Sequence, residues 1–225
     1  MLTGLSIEYE QILIFLYKKT YLPYNQVMTR TPTQKRSIEK KQRIKDAAFE
    51  LMAQNGYHNT SSNEIAKKAD VSIGTFYSYF KDKKELYAEL VGDIYDYVIT
   101  ETVSAMNNIP DDTDDRALAE LAIAMLLKSH YYRKDFQKEI ASLSCQSEEF
   151  RMIEDQYKSH TPDFFLGMIK NSGAGLRVKD VDLSTRIILT TVESVIHETV
   201  FNGDGTQDDR VVKELADLVL RYLFE

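Results

Sequence analysis

Nine cationic side chains, Lys40, Lys41, Arg43, Lys45, Lys67, Lys68, Lys81, Lys83 and Lys84, gather around one short aromatic segment, Ile73-Gly74-Thr75-Phe76-Tyr77-Ser78-Tyr79-Phe80. Cations crowded around a short exposed helix are chemistry for holding a polyanion. Residues for covalent or metal chemistry are not arranged to work. The one cysteine, Cys145, can form neither an internal disulfide nor a multi-cysteine zinc site, and a buried, inert thiol is expected there. His58, His130, His160 and His197 are too far apart for an HExxH helix or any local ligand pair. The nine glycines contain no P-loop and no GxGxxG. No enzyme, metal or cofactor is expected.

The net charge of −7 hides an asymmetry. Residues 28–83 carry 11 Lys and Arg against 6 Asp and Glu, whereas residues 84–225 carry 15 against 27. A basic segment on a large acidic body describes a polyanion-binding module on a carrier that repels polyanions.

The elements that must position these residues are helical. Pro23, Pro32, Pro110 and Pro162 stand where the helical pattern is already broken, and no period-2 run survives between them. Ile44, Ala47, Ala48, Leu51 and Met52 make one helical face, with Gly56 as its stop. Ser61-Ser62-Asn63-Glu64 is a capping box opening a short second helix, and Ser72 caps a third, Ile73 to about Phe80. Asp82 with Glu85 repeats the box and opens a long helix over about 83–107. Further helices are expected near 114–131, 134–144, 148–171, 181–202 and 207–224. The fold class is all-α, about nine helices, with a helix-turn-helix head at 34–83 and a helical body at 84–225. Within residues 1–33, the longest apolar run is Ile12 to Tyr17, too short to span a membrane. Glu8 and Glu10 ahead of it do not suit a secretory signal. Met28 is the expected start, with an extra helix over residues 1–27 as the alternative.

Three short helices with a tight turn at Asp70-Val71-Ser72 have the proportions of a helix-turn-helix unit, whose last helix enters the major groove. Residues 43–86 resemble the N-terminal domain of the TetR family of transcriptional regulators. The resemblance rests on Ala47-Ala48, Gly56-Tyr57, Ile65-Ala66, Val71-Ser72, Gly74-Thr75-Phe76-Tyr77, Tyr79-Phe80, Lys83 and Leu86. Two positions depart from the family pattern. Asp70 replaces the usual turn glycine, at modest cost because aspartate tolerates the left-handed conformation. Ser62 replaces a common aliphatic residue.

The resemblance implies roles residue by residue. Thr60, Ser61 and Ser62 would hold a phosphate at the start of the second helix. Ser72, Ile73, Gly74 and Thr75 would open the recognition helix, with Thr75 and Ser78 touching bases or phosphates. Tyr77 and Tyr79 would reach the DNA backbone or a thymine methyl, and Lys83 would grip a phosphate. Lys40 joins them as a candidate contact, whereas Phe76 and Phe80 are expected in the core. The family's body dimerises through its last two helices, here implying Ile188, Val192, Val195, Leu215, Leu218 and Tyr222. It also encloses a small-molecule pocket, for which Met125, Tyr131, Tyr132, Phe136, Met152, Tyr157, Phe164, Phe165, Met168, Glu193 and His197 are candidates. The implied protein is a cytoplasmic, homodimeric repressor that binds a pseudo-palindromic operator and leaves it when a small apolar or amphipathic effector binds. The alternative keeps the head and makes the body a protein-interaction platform without an inducer.

Overall fold

The computed structural model describes residues 35–106, 113–158 and 175–224, and every regular element among them is an α-helix. In chain order these are α1 (Lys35–Asn55), α2 (Ser62–Lys68), α3 (Ile73–Tyr79), α4 (Lys83–Met106), α5 (Asp115–Tyr131), α6 (Lys134–Gln146), α7 (Glu148–Lys158), α8 (Val181–Asn202) and α9 (Asp208–Leu223). No described helix is long and apolar enough to cross a membrane.

The helix boundaries follow from local chemistry. Gly56 ends α1 with φ +80°, a conformation in which a Cβ would be strained. Ser61 and Glu64 form the expected reciprocal box: the Glu64 N–H donates to Ser61 Oγ at 3.2 Å, and the Ser61 N–H donates to Glu64 Oε2 at 2.8 Å. Asp70 carries the turn between α2 and α3 at φ 53°. At the start of α4 the box is incomplete. Asp82 Oδ1 accepts from the Glu85 N–H at 2.8 Å, but the Glu85 carboxylate turns to the Lys81 N–H instead of the Asp82 amide.

The chain forms two compact units. Among the described residues, one holds 35–94 and 135–155, and the other holds 95–106, 113–134, 156–158 and 175–224. This division differs from the expected one at residues 83 and 84, for a physical reason. Leu86, Tyr87, Leu90 and Val91 on the first turns of α4 are fully buried. Their neighbours come partly from α6 and α7. Phe49 meets Phe136 edge-on at 4.9 Å, and the Tyr57 and Tyr87 rings meet Phe150 at 4.8 and 5.2 Å. Phe76 and Phe80 are core, as their apolar character implies. Within the first unit Lys45 is drawn inward, donating to Glu89 at 3.1 Å and Asp93 at 2.7 Å. Burial lowers its pKa, but the two carboxylates outweigh this and hold it above the ordinary lysine value.

In the second unit α5, α8 and α9 pack on one another around Leu126, Leu127, Ile188, Ile196, Leu215 and Leu223. Three expected dimer-interface residues are therefore corrected. Ile188, Val192 and Leu215 are 5%, 2% and 4% exposed, so they hold the unit's own core. Tyr222 packs against the same core. Val195 and Leu218 are exposed, as are Leu183 and Ile187. Leu183, Ile187 and Val195 recur at multiples of four along α8 and share one outward side, displaced by one residue from the buried 188, 192, 196 series.

Candidate nucleic-acid interface

Helix α3 is two-faced. Phe76 and Tyr79 point inward, while Ile73, Gly74, Tyr77 and Ser78 face solvent, Tyr77 at 53% exposure. Ser72 caps the helix by accepting from the Thr75 N–H at 3.0 Å, and the hydroxyls of Ser72 and Thr75 lie 2.9 Å apart. Ser78 Oγ donates to the Thr75 carbonyl at 2.6 Å. The hydroxyls thus hold the helix end in shape while their outer lone pairs stay accessible. A side chain at Gly74 would meet nothing nearer than Ser72 Oγ, at 3.8 Å from its Cβ, so the outer side of this glycine is open to another molecule.

Three expected contacts find other employment. Tyr79 is 9% exposed, and its hydroxyl lies 2.7 Å from Ser37 Oγ, tying α3 to α1. Thr60 is 1% exposed, with Oγ1 donating to the carbonyls of Leu51 and Gly56 at 3.2 and 2.9 Å, so its hydroxyl stitches a turn and cannot meet a phosphate. The Lys83 ammonium donates to the carbonyls of Tyr57 at 2.5 Å and Thr60 at 2.6 Å, and lies 4.1 Å from the centre of the Tyr57 ring. Burial lowers its pKa, with Glu64 acting in the opposite direction. Lys83 is a brace for the turn between α1 and α2, not a free phosphate grip. Ser61 is exposed, but its hydroxyl is engaged with Glu64 at 2.7 Å; Ser62 is half-buried.

The other cations divide by partner. Lys41 pairs with Glu89 at 2.7 Å, Lys68 with Glu50 at 2.5 Å and Lys84 with Glu149 at 2.6 Å. Lys40 and Lys67 are exposed. Arg36, Lys40 and Arg43 line an open groove of about 680 Å³ along α1, together with Glu39 and Gln42. Arg43 reaches Asp70 in the turn before α3 at 3.4 Å, which puts this cationic side next to the helix-turn-helix. Arg36 was not among the expected contacts; its spacing to Lys40 and Arg43, i, i+4 and i+7, is the sequence pattern that reveals the stripe.

The expected pocket residues scatter. Phe136 is 1% exposed in the core of the first unit, so it cannot line a pocket in the body. Met152 is 65% exposed on α7, outside any enclosed space. Phe164, Phe165 and Met168 lie outside the described residues, as does His160. In the second unit Tyr132 stacks on Tyr97 at 3.9 Å and Tyr157 on Tyr95 at 6.5 Å. Tyr131 is exposed, donating its hydroxyl to Asp208 at 2.8 Å, and Met125 is half-buried on α5. A polar group does form there. The His130 and His197 rings lie 5.0 Å apart, His130 Nδ1 is 2.7 Å from the Leu126 carbonyl, and Glu193 pairs with Lys158 at 2.9 Å. Burial, reinforced by His130, pushes the His197 pKa down to about 4. Among the described residues no cluster of three or more His, Cys, Asp or Glu could hold a metal ion. Cys145 is exposed, not buried as expected, because it falls on the outer side of α6.

Residues 44–90 match the profile of the bacterial regulatory proteins of the tetR family. The chain is similar to the fatty acid metabolism regulator protein of Bacillus subtilis (strain 168), at 32% identity over 97 residues, 43% of this chain and 46% of that protein. The alignment thus spans less than half of that relative's length. Among solved structures it resembles the fatty acid degradation regulator FadR from Bacillus halodurans, with a TM-score of 0.65 and 21% identity over 86% of this chain and 97% of the other. It also resembles a transcriptional regulator of the TerR/AcrR family from Aquifex aeolicus VF5, with a TM-score of 0.64 and 25% identity over 80% and 99% of the two chains.

Proposed function

We propose that this chain is a TetR-family transcriptional regulator: a cytoplasmic dimeric repressor, not an enzyme, which binds a pseudo-palindromic operator and is released by a small amphipathic effector. The observation that carries the DNA-binding part is α3. It buries Phe76 and Tyr79 on one side and offers Ile73, Gly74, Tyr77 and Ser78 on the other. A helix held this firmly on its inner side can enter a major groove without rearranging. Ser72 and Thr75 contribute from its first turn, and Ser61 and Ser62 from the start of α2. Lys40, Arg36 and Arg43 add sequence-independent attraction to phosphates.

Leu183, Ile187, Val195 and Leu218 supply the apolar surface for a second copy of the chain, which would present two α3 helices to successive grooves roughly 34–36 Å apart. The buried His130, with the half-buried His197, Glu193 and Lys158, supports an effector with a polar end. The relatives named for fatty acid metabolism and degradation make fatty acids the first molecules to screen. Selecting duplexes from a random-sequence pool with the wild-type chain tests the reading. An inverted repeat with half-sites about one helical turn apart is expected; a pool with no enrichment would refute it. A bound effector at 100 times its Kd should stabilise the chain by about 2.7 kcal/mol in a thermal melt. A body that is only a protein platform would show no such shift with any small molecule.

A further inference from the structure

Gly56 closes α1 in the left-handed region, and its N–H donates to the Met52 carbonyl at 2.9 Å. This is the single bond of an αL ending, which leaves the next amide without a carbonyl of the last helical turn. Here that amide, the Tyr57 N–H, donates instead to Oε1 of Glu139 on α6, at 2.5 Å and 82 residues away in sequence. A Cβ on Gly56 would stand only 3.3 Å from the same carboxylate oxygen, so glycine leaves room for the approach. On the other side of the turn the Tyr57 and Thr60 carbonyls accept from Lys83. A carboxylate therefore grips the turn by its N–H side and an ammonium grips it by its C=O side, all within one compact unit.

We infer that Glu139 is a positioning residue for DNA binding: by holding the Tyr57 amide it fixes the turn that aims α2, and with it α3, before DNA arrives. The inference rests on the DNA-binding reading above. Tyr57 is 9% exposed, so an amide there that loses its acceptor is poorly repaid by water and pulls the turn into other conformations. DNA then selects the competent form from a smaller fraction, and the apparent Kd rises by the inverse of that fraction. The sign separates this from charge. Removing a carboxylate from a DNA-binding unit should by itself tighten binding to a polyanion, whereas loss of positioning weakens it.

The test uses the full chain, the duplex selected by wild type, and three variants. Glu139→Ala should weaken binding about tenfold, on the scale of one lost charge-assisted hydrogen bond, with the salt slope unchanged because no phosphate partner is removed. Glu139→Gln keeps an oxygen acceptor and should fall between wild type and Glu139→Ala. Glu149→Gln removes an equal charge from α7 without touching the turn and should bind as wild type or more tightly. Affinity of Glu139→Ala at or above wild type overturns the inference. Should Glu139→Ala fail to fold, the comparison of Glu139→Gln with Glu149→Gln decides, and equal affinities overturn it. Amide exchange at Tyr57 gives a readout independent of DNA: faster exchange in the Glu139 variants is expected, and unchanged protection overturns the inference. An unenriched duplex pool would sink the DNA-binding reading while leaving this exchange measurement able to judge the bond.

Discussion

The Lys83 ammonium sits 2.6 Å from the carbonyl oxygen of the buried Thr60, at the end of a turn whose Tyr57 is buried as well. A lysine that satisfies two carbonyls contributes to the shape of the head before it contributes to any ligand. Lys83→Met, which keeps the stem and removes the donors, should lower stability by about 1–3 kcal/mol in urea titrations. Operator affinity should fall with it, while the slope of log K against log salt stays as in wild type. A slope smaller by about one unit would show that the ammonium leaves its carbonyls for a phosphate on binding.

The two tyrosines of α3 should separate cleanly. Tyr77 is exposed and Tyr79 is bonded to Ser37. Tyr77→Ala is expected to weaken operator binding by a factor of about 10–100 at unchanged melting temperature, the cost typical of one lost base or stacking contact. Tyr79→Phe should instead cost about 0.5–1.5 kcal/mol of stability, the worth of one neutral hydrogen bond, with little direct effect on affinity. Reversed outcomes in the two assays would exchange their roles.

Much of this was legible in the residues. The Ser61–Glu64 box, the Ser72 cap, the Gly56 stop and the left-handed Asp70 are written in local chemistry, where a side chain meets backbone within four residues. The Lys83 brace, the Glu139 acceptor and the burial of Phe136 were not, because each depends on a partner between 23 and 87 residues away. Helix α8 shows a different limit. Apolar residues run along both its sides, so periodicity alone does not tell the inward Ile188 and Val192 from the outward Ile187 and Val195.

That distinction predicts opposite phenotypes within each of two helices, α8 and α9. Val195→Glu and Leu218→Glu should leave folded monomers by sedimentation, with tight operator binding lost. Ile188→Glu and Leu215→Glu should abolish folding, since each buries an unpaired charge in the core around α5, α8 and α9. A folded dimer in both exposed variants would move the interface elsewhere.

Acid should act through His197. Its folded pKa of about 4 lies below the ordinary histidine value of 6.5, so the unfolded chain binds the proton first. The stability contributed by the neutral ring is fully present above about pH 6.5 and is lost as pH falls towards 4. His130, also pushed down by burial, acts in the same direction. His197→Phe keeps a ring against Phe201, and its melting temperature should fall less steeply than wild type between pH 7 and pH 4.5. Parallel curves would refute the assignment.

The unit that carries α3 is discontinuous, and this sets an order on synthesis. Phe49, Tyr57 and Tyr87 emerge from the ribosome well before their partners Phe136, Glu139 and Phe150, because all of residues 95–134 must be translated in between. At roughly 5–20 residues per second, the wait from residue 94 to residue 155 lasts about 3–12 s. During that interval the nascent helix-turn-helix exposes an aromatic surface and an unclasped turn. Slow codons between residues 95 and 134 would lengthen that exposure.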